Sequence, residues 1–334
     1  MQYPYRRLTN SEREDISRSL ASGAKQADIA RDLKRHPSTI SREIRKNSGT
    51  TQYRAFSARQ YAKRAASSRR FGKSRLAQED TLRAMVITRV RERWSPREIV
   101  ETLAKEYPAD TRMHISHEAI YRYIYVLPRG SLKQSLIEGL RQERAYRRKK
   151  KHSNHAEARG KIADMLSIDE RPQEVANRTI PGHWEGDLIM GKYKRTALGT
   201  LVERVTRYTL LVPLIAKDAA SVRRAYTKAL GTLPKEIAKT LTYDQGKEMS
   251  EHKQFTIDTG IQVYFAHPGS PWERGTNENT NGLIRQYFPK GTEFDKVPLR
   301  EIKRVQRQLN DRPRAVLGFN KPHEVINRLV ALKV

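Results

Sequence analysis

Three acids in the second half of the chain have the types and spacing for metal-assisted phosphoryl chemistry. Asp187 interrupts an apolar, strand-like stretch (HWEGDLIMG, 183–191), and Asp244 closes another (TLTYDQG, 240–246). Glu278 falls on a helix expected after a Gly/Pro loop (HPGSPWERGTNENTNGLIRQYF, 267–288), with 33 residues between it and Asp244. A carboxylate at the end of a buried strand is costly unless it is paired, hydrogen-bonded or metal-bound. Three that converge suit hard, oxygen-seeking Mg²⁺ or Mn²⁺, the ions of phosphoryl transfer.

The elements around these acids set their positions. From Gly182 onward, strands are expected at 184–190, 197–205 and 208–214, then a helix at 219–230. A strand ending at Tyr243 and another at 261–265 follow, before the Gly/Pro loop and the Glu278 helix. Three meandering strands, then strands alternating with helices, describe a mixed five-stranded sheet with helices on its faces. The order is similar to the ribonuclease H-like, integrase catalytic core fold. In that fold the first acid lies on the first strand, the second ends the neighbouring fourth strand, and the third comes from a later helix. This α/β catalytic domain is expected over 179–334. It ends in an amphipathic helix that begins at Pro298 and carries Ile302, Val305 and Leu309, followed by a short closing helix around Val325.

Charge narrows the partner. Among 334 residues, 66 Lys+Arg face 37 Asp+Glu, a formal net charge of +29. Such a surplus points to a polyanion. No apolar run approaches the roughly 20 residues that span a bilayer, so a membrane is not expected. The N-terminus lacks the apolar core of a signal peptide. With no cysteine, disulfides and Cys-ligated zinc are excluded, in keeping with a bacterial cytoplasm and a protein associated with the nucleoid.

The first 128 residues supply the reading heads expected of a nucleic-acid partner, all of them all-α. Residues 1–50 read as a helix-turn-helix domain. Thr9 and Glu12 form a capping box ahead of Ile16 and Leu20, and Gly23 stops the first helix. The second helix carries Ile29, Ala30 and Leu33; Pro37 opens the third, with Ile40 and Ile44 inward. Its outward face offers Ser38, Thr39, Ser41, Arg42 and Arg45 to base edges or phosphates. A generic three-helix bundle with a solvated basic face is the plainer alternative. Residues 51–75 hold eight Lys/Arg and no acid, a basic arm suited to phosphate contact. A second helix-turn-helix-like domain is expected over 76–128. There Ser95-Pro96-Arg97-Glu98 opens one helix and Ser116 caps the next; a packing or dimerisation module fits the same pattern. Residues 129–178 read as a basic linker containing RAYRRKKK (144–151).

The segments HWEGDLIMG, LTYDQGKE and PWERGTNENTNGLIRQYFPKGT, with LNDRPRAVLGFNKPHEVI (309–326), resemble the IS-thirty (IS30) family of bacterial insertion-sequence transposases. The resemblance covers nearly the whole chain. It implies a DDE triad of Asp187, Asp244 and Glu278 that holds two Mg²⁺ ions, with Mn²⁺ able to substitute. Arg285 matches that family's basic residue seven positions after the glutamate and is expected at a phosphate. The resemblance also implies cleavage at terminal inverted repeats, strand transfer into target DNA, a joined-end circular intermediate, and a homodimer or higher assembly on double-stranded DNA. The competing reading is a catalytically silent helix-turn-helix regulator, which leaves the spacing of the acids unexplained.

Nearby residues compete for roles. Glu185 shares a strand face with Asp187 and is either a support for the site or a buried partner of a Lys or Arg. Glu273 is expected on the loop, and His267 is read first as a loop-structuring residue. Core packing is the leading expectation for both Trp184 and Trp272. Asn281, one turn after Glu278, is the DNA contact expected from that helix.

Overall fold

The computed structural model describes residues 6–70, 74–140 and 162–331, so the run 144–151 lies outside the described residues. The chain divides into two compact units, Met1–Arg83 with Arg122–Pro128, and Ala84–Tyr121 with Arg129–Val334.

The first unit is helical. Its opening helices are α1 (Asn10–Ala21), α2 (Gln26–Asp32) and α3 (Pro37–Lys46), followed by α4 (Ala55–Arg70). The capping box is present: Glu12 N–H donates to Thr9 Oγ1 at 3.2 Å, and Thr9 N–H to Glu12 Oε2 at 2.7 Å. Gly23, at φ +83°, takes the left-handed conformation that ends α1. His36 caps α3 by accepting from Ser38 N–H. Ile16, Ile29, Ile40 and Ile44 close the core together with Tyr53 and Ala58. The basic stretch 51–75 is therefore no free arm over its helical part: α4 sends Ala58 into this core.

A buried ion pair links α1 to the turn before α3. Arg35 Nε donates to Glu12 Oε1 at 2.9 Å, and both side chains are nearly inaccessible. Hydrogen bonding from Arg35 holds the Glu12 carboxyl down at about 2. A depressed carboxylate stabilises the fold above its unfolded value of about 4.5. That contribution, on the order of 3 kcal/mol for the shift, disappears as pH falls from about 4.5 to about 2. Thermal melts of the full chain against pH should show the helical unit losing stability across that window. Glu12→Gln should flatten the dependence there.

The second unit is built on one sheet. Its strands are β1 (His183–Met190), β2 (Ala197–Glu203), β3 (Thr209–Pro213), β4 (Thr240–Tyr243) and β5 (Gln262–Phe265), in the order β3-β2-β1-β4-β5. The first three pair antiparallel, and β1–β4 and β4–β5 pair parallel. The expected mixed five-stranded sheet is thus present, each strand within two residues of its anticipated ends. Trp184, Leu201, Val222, Tyr226, Leu241 and Phe265 fill one face. On the other pack the helix that carries Glu278 and the C-terminal amphipathic helix, around Leu198, Leu283, Ile302 and Leu309.

The C-terminal helix Leu299–Asp311 also caps the β3 edge. Asn310 accepts from Thr209 N–H at 2.8 Å and donates to Thr209 O at 2.9 Å, while Gln306 accepts from Leu211 N–H at 2.8 Å. At the opposite edge Ser167 bridges Phe265, and Phe265 N–H donates to Leu166 O.

Two expected boundaries differ from the structure. The end of the anticipated linker belongs to the sheet domain, with Ile162 in its core and Ser167 on its edge. The helix α5 (Pro96–Glu106), expected in a separate reading head, docks on the same unit. The fully buried Arg312 pairs with Glu98 at 2.9 Å, Tyr287 Oη donates to Glu92 O at 3.2 Å, and Arg93 stacks over Tyr287. Among the described residues, no helix is long and apolar enough to cross a membrane.

Candidate active site

Strand register brings the first two acids together. The β1–β4 ladder pairs His183 with Thr240, Trp184 with Leu241 and Glu185 with Thr242. The same register carried two residues further sets Asp187 level with Asp244, just past the end of β4, on the face that Glu185 occupies. Gly186 makes this approach possible, because a Cβ there would lie 2.7 Å from the Tyr243 ring. Tyr226, from α6 (Ala219–Leu230), donates its hydroxyl to Asp187 O at 2.9 Å and fixes the strand.

Arg274 spans the pair. Its Nη2 donates to Asp244 Oδ2 at 3.1 Å, its Nη1 lies 3.7 Å from Asp187 Oδ1 and donates to Gly186 O at 3.0 Å. The guanidinium thus supplies positive charge between two carboxylates. Burial pushes the Asp187 carboxyl up, Arg274 opposes that, and the neighbouring Asp244 adds to it. Glu248 shares the electrostatics: burial raises its carboxyl, with further upward pressure from Asp244 and Asp187.

Glu278 comes from α7 (Gly275–Ile284). Asn281, one turn later on the same helical face, donates to Asp187 Oδ2 at 2.7 Å, so this face is turned toward the first acid. The Glu278 side chain is exposed, and among the described residues no group of three acids or histidines is gathered closely enough to hold a metal. The donor set nonetheless fits a hard divalent ion. Two crowded aspartates, one of them partly buried, already have a cation standing between them, and an exposed carboxylate lies one turn from the group that orients Asp187.

Known proteins decide the family. Residues 4–47 match a helix-turn-helix domain family and 178–271 the integrase core domain family. The chain is 43% identical over 327 residues to the transposase InsI of insertion sequence element IS30A from Escherichia coli K12, covering 97% of this chain and 84% of that protein. It is 42% identical over 329 residues to the transposase of IS1086 from Cupriavidus metallidurans, covering 98% and 96%. A transposase of IS4351 from Bacteroides fragilis is 34% identical over 326 residues, covering 97% and 96%. The chain belongs to the IS30 family of insertion-sequence transposases. It is a DNA-binding enzyme of DNA transposition, and its integrase core places it among divalent-metal-dependent polynucleotidyl transferases.

In this transposase Glu185 combines the two roles left open by the sequence. Its carboxylate is wholly buried and pairs with Arg204 at 3.0 Å, while Oε2 accepts from Asn277 N–H at 2.9 Å. Asn277 Nδ2 donates back to Glu185 O at 3.1 Å. A strand carboxylate therefore caps the first turn of the helix that presents Glu278, where the helix dipole favours negative charge.

The remaining candidates are distributed as follows. Glu273 accepts from both His267 N–H and its Nδ1, at 2.8 and 2.9 Å, and His267 Nε2 meets Asp169 at 3.0 Å. These contacts tie the loop together, and both acids push the imidazole up. Trp184 is core, donating to Ile237 O at 2.7 Å, whereas Trp272 departs from expectation and is 72% exposed. Arg285 donates to Met190 O at 2.7 Å and reaches the carbonyls of Phe288 and Pro289 at 3.4 Å, so the structure engages it with backbone at the end of β1. Asn281, half-buried, donates to Asp187. On α3, Ser41, Arg42 and Arg45 are exposed, and Ser38 and Thr39 half-buried.

Arg274 and Glu248 were not singled out from sequence. Both lie in the segments that carry the acids, but their side-chain directions depend on how β1, β4 and the loop assemble.

Proposed function

We propose that Asp187, Asp244 and Glu278 are the metal-holding acids of this transposase, taking two Mg²⁺ ions or Mn²⁺ in their place. We propose further that the first unit recognises the terminal inverted repeats through Ser38, Thr39, Ser41, Arg42 and Arg45. When bound, such ions supply an activated water or 3′-hydroxyl nucleophile and stabilise the leaving 3′ oxygen. The chain's own residues do the placing. Leu188 N–H and Asn281 Nδ2 fix the two oxygens of Asp187, at 2.9 and 2.7 Å. Arg274 bridges the two aspartates through its guanidinium. Glu185 anchors the helix that brings in Glu278. The reading rests above all on Asp187 and Asp244 sharing one guanidinium at the end of parallel strands. Two DNA ends must be held at once, which makes a homodimer or larger assembly on DNA, in the bacterial cytoplasm with its nucleoid, part of the same proposal.

A labelled duplex carrying the end of the element provides the test. Wild type and Glu278→Gln are each incubated with Mg²⁺ or EDTA. Strand-specific cuts at the element end, followed by joined products, are expected only from wild type with metal, while both proteins bind the duplex. Equal cutting by the variant would remove Glu278 from the site, and equal binding with no cutting under any condition would favour the regulator.

A further inference from the structure

The segment ahead of α1 is held by its backbone carbonyls. Three successive carbonyls each accept from a buried or half-buried guanidinium: Arg6 O and Arg7 O from Arg35, at 3.1 and 3.2 Å, and Leu8 O from Arg13 at 2.9 Å. Each of those arginines is itself neutralised, Arg35 by Glu12 and Arg13 by Glu43 at 2.7 Å. The backbone is therefore pinned while the Arg6 and Arg7 side chains stay exposed, Arg6 also reaching Glu12 Oε1 at 3.3 Å from its solvent side. They open onto a groove whose other walls are α3, through Thr39, Arg42 and Lys46, and the alanine-rich face of α4, with Tyr61 on the rim. Among the described residues, the only acid lining it is Glu43, already paired to Arg13. A cationic groove with a floor of small side chains has the charge to take a polyanionic strand, and Tyr61 offers a hydroxyl and an apolar ring at its edge.

We propose that this groove is a second DNA contact, seating one sugar-phosphate strand of the duplex beside the stretch that α3 reads. Arg6 and Arg7 meet phosphates there, and Arg35 is the positioning residue that sets the arm. The proposal rests on the DNA-reading role of the first unit and adds a surface outside α3 to it. The exposed face of α3 alone spans Ser41, Arg42 and Arg45; the groove extends the contact onto two further elements that the same core fixes in place.

The test uses the full chain in EDTA, with fluorescence anisotropy on a duplex carrying the element end and on a scrambled duplex, between 50 and 200 mM salt. Each phosphate contact contributes about 0.9 to the slope of log K against log salt, so Arg6→Ala/Arg7→Ala should lower that slope by about 1.8. Wild type would then lose about tenfold more affinity than the variant across that range. The control, Arg18→Ala/Arg31→Ala, removes the same charge from two side chains that are each 76% exposed and lie outside the groove, and should leave the slope unchanged. Arg35→Lys keeps the charge and can still pair with Glu12 but loses the forked donors that reach both carbonyls. It should lower the slope although no charge is removed, and it should add nothing further in the Arg6→Ala/Arg7→Ala background. A slope for Arg6→Ala/Arg7→Ala equal to that of the control overturns the groove, and a full slope for Arg35→Lys overturns the positioning role. Wild type that binds the element end no better than the scrambled duplex would instead count against repeat recognition, leaving the slope comparison valid.

Discussion

An Asp187→Asn transposase is expected to lose strand cleavage by at least about 10³-fold while melting no earlier than wild type, by analogy with the scale seen when a group acting in the transition state is removed. The two halves of this result have one cause. Asp187 is partly buried beside Asp244, and burial with that like charge pushes its carboxyl up, so the metal-free fold carries the cost of an ionised group there. Asparagine keeps the shape and the strand contact through Tyr226 and removes the charge, while Asn281 must turn its amide over to accept from the new NH2 where it had donated to an oxygen. Arg274 retains Asp244 at 3.1 Å and is not stranded. Differential scanning calorimetry with and without Mn²⁺ separates the effects: wild type should gain stability on adding the ion, as any ligand of the native state produces, and the variant should not. A variant that melts much earlier without metal would mean that Asp187 is there for the fold.

Glu185→Ala should act in the opposite sense, lowering the melting temperature of the sheet unit by about 10 °C. Removing one partner of a buried ion pair costs about 3–5 kcal/mol, because the other charge remains. Here Arg204 is left 5% exposed with no carboxylate, and the first turn of α7 loses its cap. At roughly 2–4 °C per kcal/mol for a unit of this size, the shift is easily read in a thermal melt. Glu185→Gln distinguishes the two losses, since an amide oxygen can still accept from Asn277 N–H but cannot neutralise Arg204. It should melt between alanine and wild type and recover cleavage in proportion to how well α7 is held. A glutamine variant as unstable as alanine would assign the whole effect to the ion pair.

Much of this architecture was legible because it is local. Apolar runs separated by short turns marked β1, β2 and β3, the Thr9–Glu12 and Ser95–Glu98 pairs marked two helix starts, and both capping boxes are present. Asp187 and Asp244 could be named because each interrupts or closes an apolar run, where an unpaired carboxylate is out of place, and Glu278 because the 33-residue gap after Asp244 matches the resemblance to the IS30 family. What was hidden depends on partners far apart in the chain. The Glu98–Arg312 pair that docks α5 on the sheet unit leaves no periodic trace in either segment. Nor does any trace reveal that Arg274 would fold back over Asp187 and Asp244, or that Asn281 would donate to the Asp187 carboxylate. Glu185 is the instructive case: alternation placed it on the face of Asp187, but only the packing of α7 on that face shows a carboxylate used at once as counter-ion and helix cap.

The treatment of the sheet margins limits how copies of this protein can meet. Thr209 and Leu211 on β3 spend their outward amides on Asn310 and Gln306, and Phe265 on β5 spends its own on Leu166. Neither flank therefore offers the ladder of free donors and acceptors that lets one sheet continue into another. In the assembly proposed above, subunits would have to join through side-chain surfaces or through the nucleic acid itself and not by extending the sheet. An open β-ribbon at the margin would risk permanent stacking of one sheet on another; engaging the Thr209, Leu211 and Phe265 amides within the chain lowers that risk.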